Sequence, residues 1–272
     1  MKRLTSAYNE ALAAEKAGNR DEAAALYRIC LEIDSADTCG ASVRLASMGL
    51  GDAPAKAPDA YVATLFDQHA EVFDDILTGD LGYAVPMQLA EILNRDPDLH
   101  FARMLDLGCG TGLSGMTLGD LCDHATGVDI SEKMVDVADE RAVYDALFVN
   151  EVVHFLEEWE KAEGDDYVPF DLIVATDVLP YIGALEPLFA GVAANTNAGA
   201  CFAFSAETLA DEDFGGKSWR VPPNQRFAHA ADYLKLLLGE HGFGRVTSFD
   251  PITVRSEQGA PIPGWLVVAW KD

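Results

Sequence analysis

Two carboxylates 23 residues apart, Asp106 and Asp129, flank a glycine run at Gly108, Gly110 and Gly112. Residues 104–107 ahead of the run are apolar enough for a strand, and a helical stretch follows, so the glycines occupy a strand-to-helix turn. Glycine lets the backbone turn tightly there and approach a ligand, while the helix N-terminus offers free amide donors. Gly110, Gly112 and Gly115 also satisfy G-x-G-x-x-G, and Asp129 lies where a carboxylate accepts both hydroxyls of a ribose. The pattern points to a nucleoside-bearing cofactor. Spacing alone leaves two open, a nicotinamide dinucleotide and S-adenosyl-L-methionine.

Charge separates them. A carboxylate two residues before the first glycine meets the diphosphate of a dinucleotide as a like charge. S-adenosyl-L-methionine has no phosphate and carries an ammonium and a sulfonium, so Asp106 attracts it, directly or through water. The electrostatics favour the methyl donor. Asp129 also has a structural reading, as a charge at the N-terminus of the helix that Ser131 opens and caps.

The elements that must position these residues alternate. Residues 104–107, 126–130, 147–150, 172–175 and 201–205 read as strands separated by helix-length intervals, the pattern of right-handed crossovers in a doubly wound parallel sheet. Residues 245–249 and 265–270, joined without a helical period, predict an antiparallel hairpin at one edge. The expected fold is α/β, Rossmann-like, with seven strands. Ahead of it, residues 61–77 and 85–93 read as helices.

Residues 1–50 differ in character. Leu4, Ala7, Tyr8, Ala11 and Leu12 form one helical stripe, Gly18 and Asn19 interrupt, and Leu26, Ile29, Cys30 and Ile33 form a second. Residues 51–58, with Gly51, Pro54 and Pro58, read as a linker, and residues 59–272 as the main domain. The hairpin has Gly18, Ala23 and Tyr27 where a tetratricopeptide unit expects them, with Cys30 at a usually small position and Ser35 where Pro is usual; it resembles one such unit. A single unit is too small to stand alone. It is expected to dock on the main domain or on a twin subunit, or to offer a groove to a protein partner.

The chain of 272 residues has 19 Lys and Arg against 45 Asp and Glu, a formal charge of −26. Residues 1–56 hold seven basic and eight acidic side chains, so the acidity belongs to the larger part. Such a field repels phosphate backbones and anionic lipid, which argues against nucleic-acid and membrane partners. No apolar run is long enough to span a bilayer, and residues 1–20 lack a signal-peptide block. Five widely spaced cysteines with no C-x-x-C pair predict reduced thiols in a cytoplasm, and no metal site.

Four segments carry a family resemblance: Asp106-Leu-Gly-Cys-Gly-Thr-Gly112, Gly127-Val-Asp129-Ile-Ser-Glu-Lys-Met134, Tyr144-Asp-Ala-Leu147 leading to Asn150-Glu151-Val152, and Phe170-Asp-Leu-Ile-Val-Ala-Thr-Asp177. Over residues 60–270 the chain resembles the class I S-adenosylmethionine-dependent methyltransferases, and more narrowly the predicted methyltransferases with an N-terminal tetratricopeptide segment. The narrower resemblance includes Leu65-Phe-Asp67, Phe73-Asp74 and Arg226-Phe-Ala-His229. It implies S-adenosyl-L-methionine as cofactor and S-adenosyl-L-homocysteine as product. Cofactor contacts are implied for Asp106, Gly108, Cys109, Gly110, Gly112 and Asp129. Asn150, Glu151 and Val152 would meet the adenine edge, Ile130 and Met134 its faces, and Ala175 the methionine portion. Tyr61, Phe66 and Tyr83 would close over the cofactor.

Methyl transfer is an in-line displacement at a cationic sulfur, and holding the acceptor lone pair about 3 Å from the methyl supplies most of the rate. Where a base is used, the candidates by position are His69 and His229, with Asp177 and Glu207, and Arg226 is expected to bind an acceptor carboxylate. After the fourth strand stands Asp177-Val-Leu-Pro-Tyr181 rather than the aromatic, proline-rich tetrapeptide of DNA amino-group methyltransferases, and no Pro-Cys dipeptide is present. A small-molecule acceptor is the expectation. The alternatives are a non-catalytic cofactor-binding module that recruits a protein, and an NAD-dependent oxidoreductase.

Overall fold

The computed structural model describes residues 2–164, 167–257 and 259–272. Five parallel strands form the centre of the sheet: β1 (Phe101–Leu107), β2 (Cys122–Asp129), β3 (Ala146–Val149), β4 (Phe170–Ala175) and β5 (Thr196–Glu207). Their order is β3-β2-β1-β4-β5. The chain therefore runs outward from β1 to β3 and returns to the other side of β1. That reversal opens a crevice beyond the C-terminal ends of β1 and β4, where doubly wound sheets bind ligands.

The sequence predicts seven strands, and among the described residues the sheet has nine. Seven are long: the five above, with β8 (Arg245–Glu257) and β9 (Ala260–Trp270) as the expected antiparallel hairpin, β9 running against β5. The other two, β6 (Trp219–Arg220) and β7 (Ala228–His229), join the end of β5 through the Glu207–Ala228 pair. Two-residue strands have no room for an alternating pattern, so neither leaves a periodic signal.

Alternation along β1 decides which way its side chains point. Leu105 and Leu107 join Ile173, Phe202 and Phe204 on one face, against α8 (Val152–Glu163), α9 (Glu186–Ala194) and α10 (Ala231–Glu240). Met104 joins Leu172, Val174 and Leu266 on the other, with α5 (Val85–Leu93). Asp106 shares the parity of Met104 and so points a carboxylate into the second layer.

The N-terminal helices α1 (Lys2–Lys16), α2 (Arg20–Ile33) and α3 (Ala41–Ser47) close on an alanine-rich core of Ala7, Ala11, Ala23 and Ala24 around Tyr27. Small side chains let α1 and α2 approach closely. Arg44 ties α3 to α1 through Glu15 at 3.1 Å. The group docks on the rest of the chain: Val43 packs with Val62, Val221 and Phe227, and Tyr61 lies flat against Gly40, where a Cβ would come within 2.8 Å of the ring.

The linker residues 51–58 are fastened to residues 181–184: Ala57 donates to Tyr181 O at 2.8 Å, while Gly183 and Ala184 donate to Ala55 O at 2.8 Å. Residues 61–77 are not one helix. After α4 (Asp59–Asp67) come a 3-10 turn, Ala70–Val72, and a π-helical turn, Asp75–Asp80. A continuous helix would separate Phe66 and Phe73 by about 10 Å along its axis. The break brings their rings to 5.8 Å.

Candidate active site

The loop after β1 is held from below. Gly108 and Cys109 both donate to Val128 O, at 2.7 and 2.9 Å, and Gly112 donates to Cys109 O at 2.9 Å. Gly110 donates to Asp129 Oδ2 at 2.9 Å, while Ser131 donates to Asp129 Oδ1 at 2.8 Å. Four amides that a glycine loop would offer to a phosphate are thus spent on the protein itself. Glycine is required at Gly108, with φ +68° and a Cβ that would fall 2.4 Å from Val178 Cγ2. Helix α6 (Leu113–Leu118) follows, tied to the end of β4 by the Ser114 and Thr176 hydroxyls at 2.9 Å.

Burial tunes both carboxylates. Asp129 is pushed up to about 6 by burial, against the opposing pull of the Ser131 and Gly110 amides. Asp106 has no exposed surface, and burial pushes it up to about 7, opposed by the Tyr144 hydroxyl that donates to Oδ2 at 2.6 Å. Asp106 Oδ1 has no hydrogen-bond partner among the described residues. Tyr144 in turn accepts from the Gly115 amide at 3.1 Å, and a Cβ at Gly115 would strike its ring at 2.6 Å. The third glycine of G-x-G-x-x-G therefore makes room for a tyrosine, not for a diphosphate.

Above the loop lies an open cavity of ≈ 880 Å³, mouth included. Gly108, Cys109, Gly110, Asp129, Ile130, Glu151 and Val152 form its floor and one side. Phe66, Phe73, Leu77, Tyr83 and Pro86 form an apolar roof, and Thr176, Asp177, Val178, Tyr181 and Ile182 the far wall. Lys56 and Asp59 stand at the rim, where Lys56 pairs with Asp59 at 2.8 Å and with Glu151 at 3.5 Å. Glu151 also accepts the His154 amide at 2.9 Å, closing the first turn of α8. Two links hold the roof to the floor: Thr111 donates to Asp74 at 2.6 Å, and Ser131 donates to Asp67 at 2.5 Å. Arg141, on α7 (Glu132–Arg141), pairs with Asp74.

The far wall carries a buried ion network. Arg226 pairs with Asp177 Oδ1, donates to Glu207 at 2.6 Å and donates to the Tyr181 hydroxyl at 2.5 Å. Arg255 pairs with the same Glu207. Burial raises Asp177, opposed by Arg226. For Glu207 the two guanidinium groups outweigh burial and hold it below the usual range. Asp177 has φ +64°, a left-handed conformation uncommon outside glycine and asparagine, on the wall of the cavity.

Several residues expected at the site lie elsewhere. His229 is wholly buried, with Nε2 at 2.9 Å from Ile182 O, and burial lowers it to about 4; it is a neutral packing residue outside the cavity lining. His69 is exposed, with Nδ1 at 2.7 Å from Leu65 O, and is also outside the lining. Arg226 is paired with the chain's own acids Asp177 and Glu207 and lies outside the cavity lining, so it is not placed to meet an acceptor carboxylate. Asp106 and Gly112 lie beneath the loop rather than on its surface, and Ala175 and Met134 are core. Tyr61 packs toward Gly40, and Asn150 turns its Oδ1 to the Glu151 amide at 2.8 Å. Cys109 lines the cavity, but its sulfur sits against Gly127, and burial pushes the thiol up.

Lys56, Phe73, Leu77, Pro86 and Tyr181 are lining residues that sequence reasoning did not single out for the site. Two of them carried a signal, Phe73 in the Phe73-Asp74 motif and Tyr181 in the Asp177-Val-Leu-Pro-Tyr181 segment. Among the described residues no group of His, Cys, Asp and Glu could hold a metal ion, and no helix is long and apolar enough to cross a membrane.

This geometry can be set beside known proteins. Residues 105–202 match the methyltransferase domain family. The 18S rRNA (guanine-N(7))-methyltransferase RID2 of Arabidopsis thaliana is 47% identical over 49 residues, 18% of this chain and 17% of its own length. The O-methyltransferase rstn1 of Aspergillus nomiae is 29% identical over 92 residues, covering 28% of this chain and 41% of its own. The matches thus span less than half the length of these curated relatives. In fold, the chain is similar to magnesium protoporphyrin IX methyltransferase from Synechocystis PCC 6803, solved with bound SAM. That likeness has a TM-score of 0.57 at 16% identity and covers 79% of this chain and 97% of the other. The architecture is the α/β Rossmann-like methyltransferase fold, a mostly parallel sheet with one antiparallel edge.

Proposed function

We propose that the protein is an S-adenosyl-L-methionine-dependent methyltransferase that transfers a methyl group to a small molecule and releases S-adenosyl-L-homocysteine. One observation carries the reading: the amides of Gly108, Cys109, Gly110 and Gly112 already have protein acceptors, and the ligand face of the loop is an acid, Asp129. A diphosphate would meet spent donors and a carboxylate. A ribose diol would meet two oxygens that each keep a lone pair.

In this assignment Asp129 receives the ribose hydroxyls, Ile130 and Val152 flank the adenine, and the ammonium lies over the Gly108 turn within the field of Asp106. The cofactor supplies an electrophilic methyl group. The chain's residues hold it in line, exclude water with the Phe66–Phe73–Tyr83 roof, and present the acceptor from the far wall. We read residues 1–50 as a single tetratricopeptide-like unit that buttresses this roof through Tyr61 and Val62, and residues 59–272 as the catalytic domain. The acidity of the chain supports a small-molecule acceptor over a nucleic acid, and its unpaired cysteines support action in a reducing cytoplasm.

Titration calorimetry with S-adenosyl-L-homocysteine and with NAD tests the assignment. Saturable heat with the thioether and none with NAD is expected. Tight NAD binding without thioether binding would overturn it in favour of an oxidoreductase.

A further inference from the structure

Beyond Gly110 and Asp129 the cavity continues to the far wall at Thr176, Asp177, Val178, Tyr181 and Ile182. Its remaining surface is sharply divided. Phe66, Phe73, Leu77 and Pro86 make it apolar, and a single carboxylate, Asp177, faces it from the end of β4. Arg226 binds Asp177 only at Oδ1; Oδ2 has no hydrogen bond among the described residues, and the side chain is 14% exposed, toward the cavity. Both cations near this space are already committed, Arg226 to Asp177 and Glu207 and Lys56 to Asp59 and Glu151. An acceptor carrying a carboxylate or phosphate would find no counter-ion and four acids, Asp59, Asp129, Glu151 and Asp177.

Resting on the methyltransferase reading, we propose that the acceptor is a hydrophobic amine, held through its N–H by Asp177 Oδ2 with its ring or chain under the aromatic roof. The neutral amine attacks: its nitrogen lone pair forms the new N–C bond, the S–C bond breaks, and its electron pair returns to sulfur as the neutral thioether. The cation moves from sulfur to nitrogen, and the ammonium formed gives up a proton to Asp177 or to water at the cavity mouth. Throughout, positive charge stays beside Asp177, which is where a fixed carboxylate lowers the barrier. A phenol gains nothing comparable, since its attack requires an anion in an acidic cavity.

The strained backbone at Asp177 fits this role, because a left-handed residue at a strand end aims its side chain away from the strand's alternation and into the crevice. Asp177 is then a substrate-positioning group as well as the partner of Arg226.

The test uses the full chain saturated with S-adenosyl-L-homocysteine and three probes of one shape: 2-naphthylmethylamine, 2-naphthylmethanol and 2-naphthoate. The amine is expected to bind about tenfold or more tightly than either other probe, the worth of a charge-assisted hydrogen bond. That margin should vanish in Asp177→Asn, a residue that tolerates positive φ. Equal binding of the three, a preference for the alcohol or the acid, or no binding of the amine would overturn the proposal. The wild-type comparison decides even where the variant does not fold. Loss of thioether binding itself is a different failure, since it removes the methyltransferase reading on which this one rests.

Discussion

On the proposed assignment, Asp106 should make cofactor affinity depend on pH in a range where few side chains titrate. Its carboxyl is pushed up to about 7 and that of Asp129 to about 6. A ligand that brings an ammonium over the loop binds the ionised forms. Lowering the pH from about 8 to about 6 takes Asp106 from roughly nine-tenths to one-tenth ionised, and Asp129 from almost fully to half ionised. The expected loss of S-adenosyl-L-homocysteine affinity is about tenfold from the first and about twofold from the second, close to 2 kcal/mol together. Calorimetry at both pH values, in buffers of different ionisation enthalpy, reads the affinity and counts the protons released. Asp106→Asn, which still accepts from Tyr144, should retain only the twofold part. An affinity flat across this range, or an undiminished pH dependence in Asp106→Asn, would refute the claim that the buried carboxylate acts on the ligand.

Three further outcomes follow from the same geometry. Asp129→Ala leaves the Gly110 and Ser131 amides without acceptors and removes the ribose partner, so thioether affinity should fall by about 2–3 kcal/mol in calorimetry; an unchanged value would take Asp129 out of the site. Gly108→Ala forces a Cβ onto Val178 at a left-handed turn, and should cost roughly 1–3 kcal/mol in urea denaturation as well as abolish cofactor binding. Without ligand, the raised Asp106 and Asp129 stabilise the fold fully below their unfolded value of 3.8 and lose that contribution as pH rises to about 7. Asp106→Asn should therefore be more stable than the native chain near pH 8 by roughly 4 kcal/mol, and little more stable near pH 4, in denaturation at the two pH values.

What was legible in the sequence was local. Gly108, Gly110 and Gly112 after Met104, Leu105 and Leu107 announce a strand, a tight turn and a helix, because those steps depend on residues within one turn of one another. Asp129 was legible for a related reason, since one helix and one strand fix the 23-residue step to the next strand end. Depth was not legible. Asp106 has the right type and spacing for a ligand contact, yet β-alternation places it with Met104 beneath the loop, and only the packing of Tyr144 shows that it is sealed there.

The roof and the far wall depend on long-range pairing, to which periodicity is blind. Arg226 and Asp177 are 49 residues apart, and nothing in either neighbourhood indicates that the guanidinium is consumed by Asp177 and Glu207. His229 read as a base by position, but its strand is two residues long and turns the ring toward Ile182. Lys56 sat in a segment that Gly and Pro marked as a linker. Its hydrogen bonding to residues 181–184 places it on the rim instead.

A crystal structure of the chain grown with S-adenosyl-L-homocysteine tests the central claim most directly. The account predicts the ribose hydroxyls on Asp129, the adenine between Ile130 and Val152, and the ammonium over Gly108. Thioether density outside the cavity, or a ribose turned away from Asp129, would contradict it.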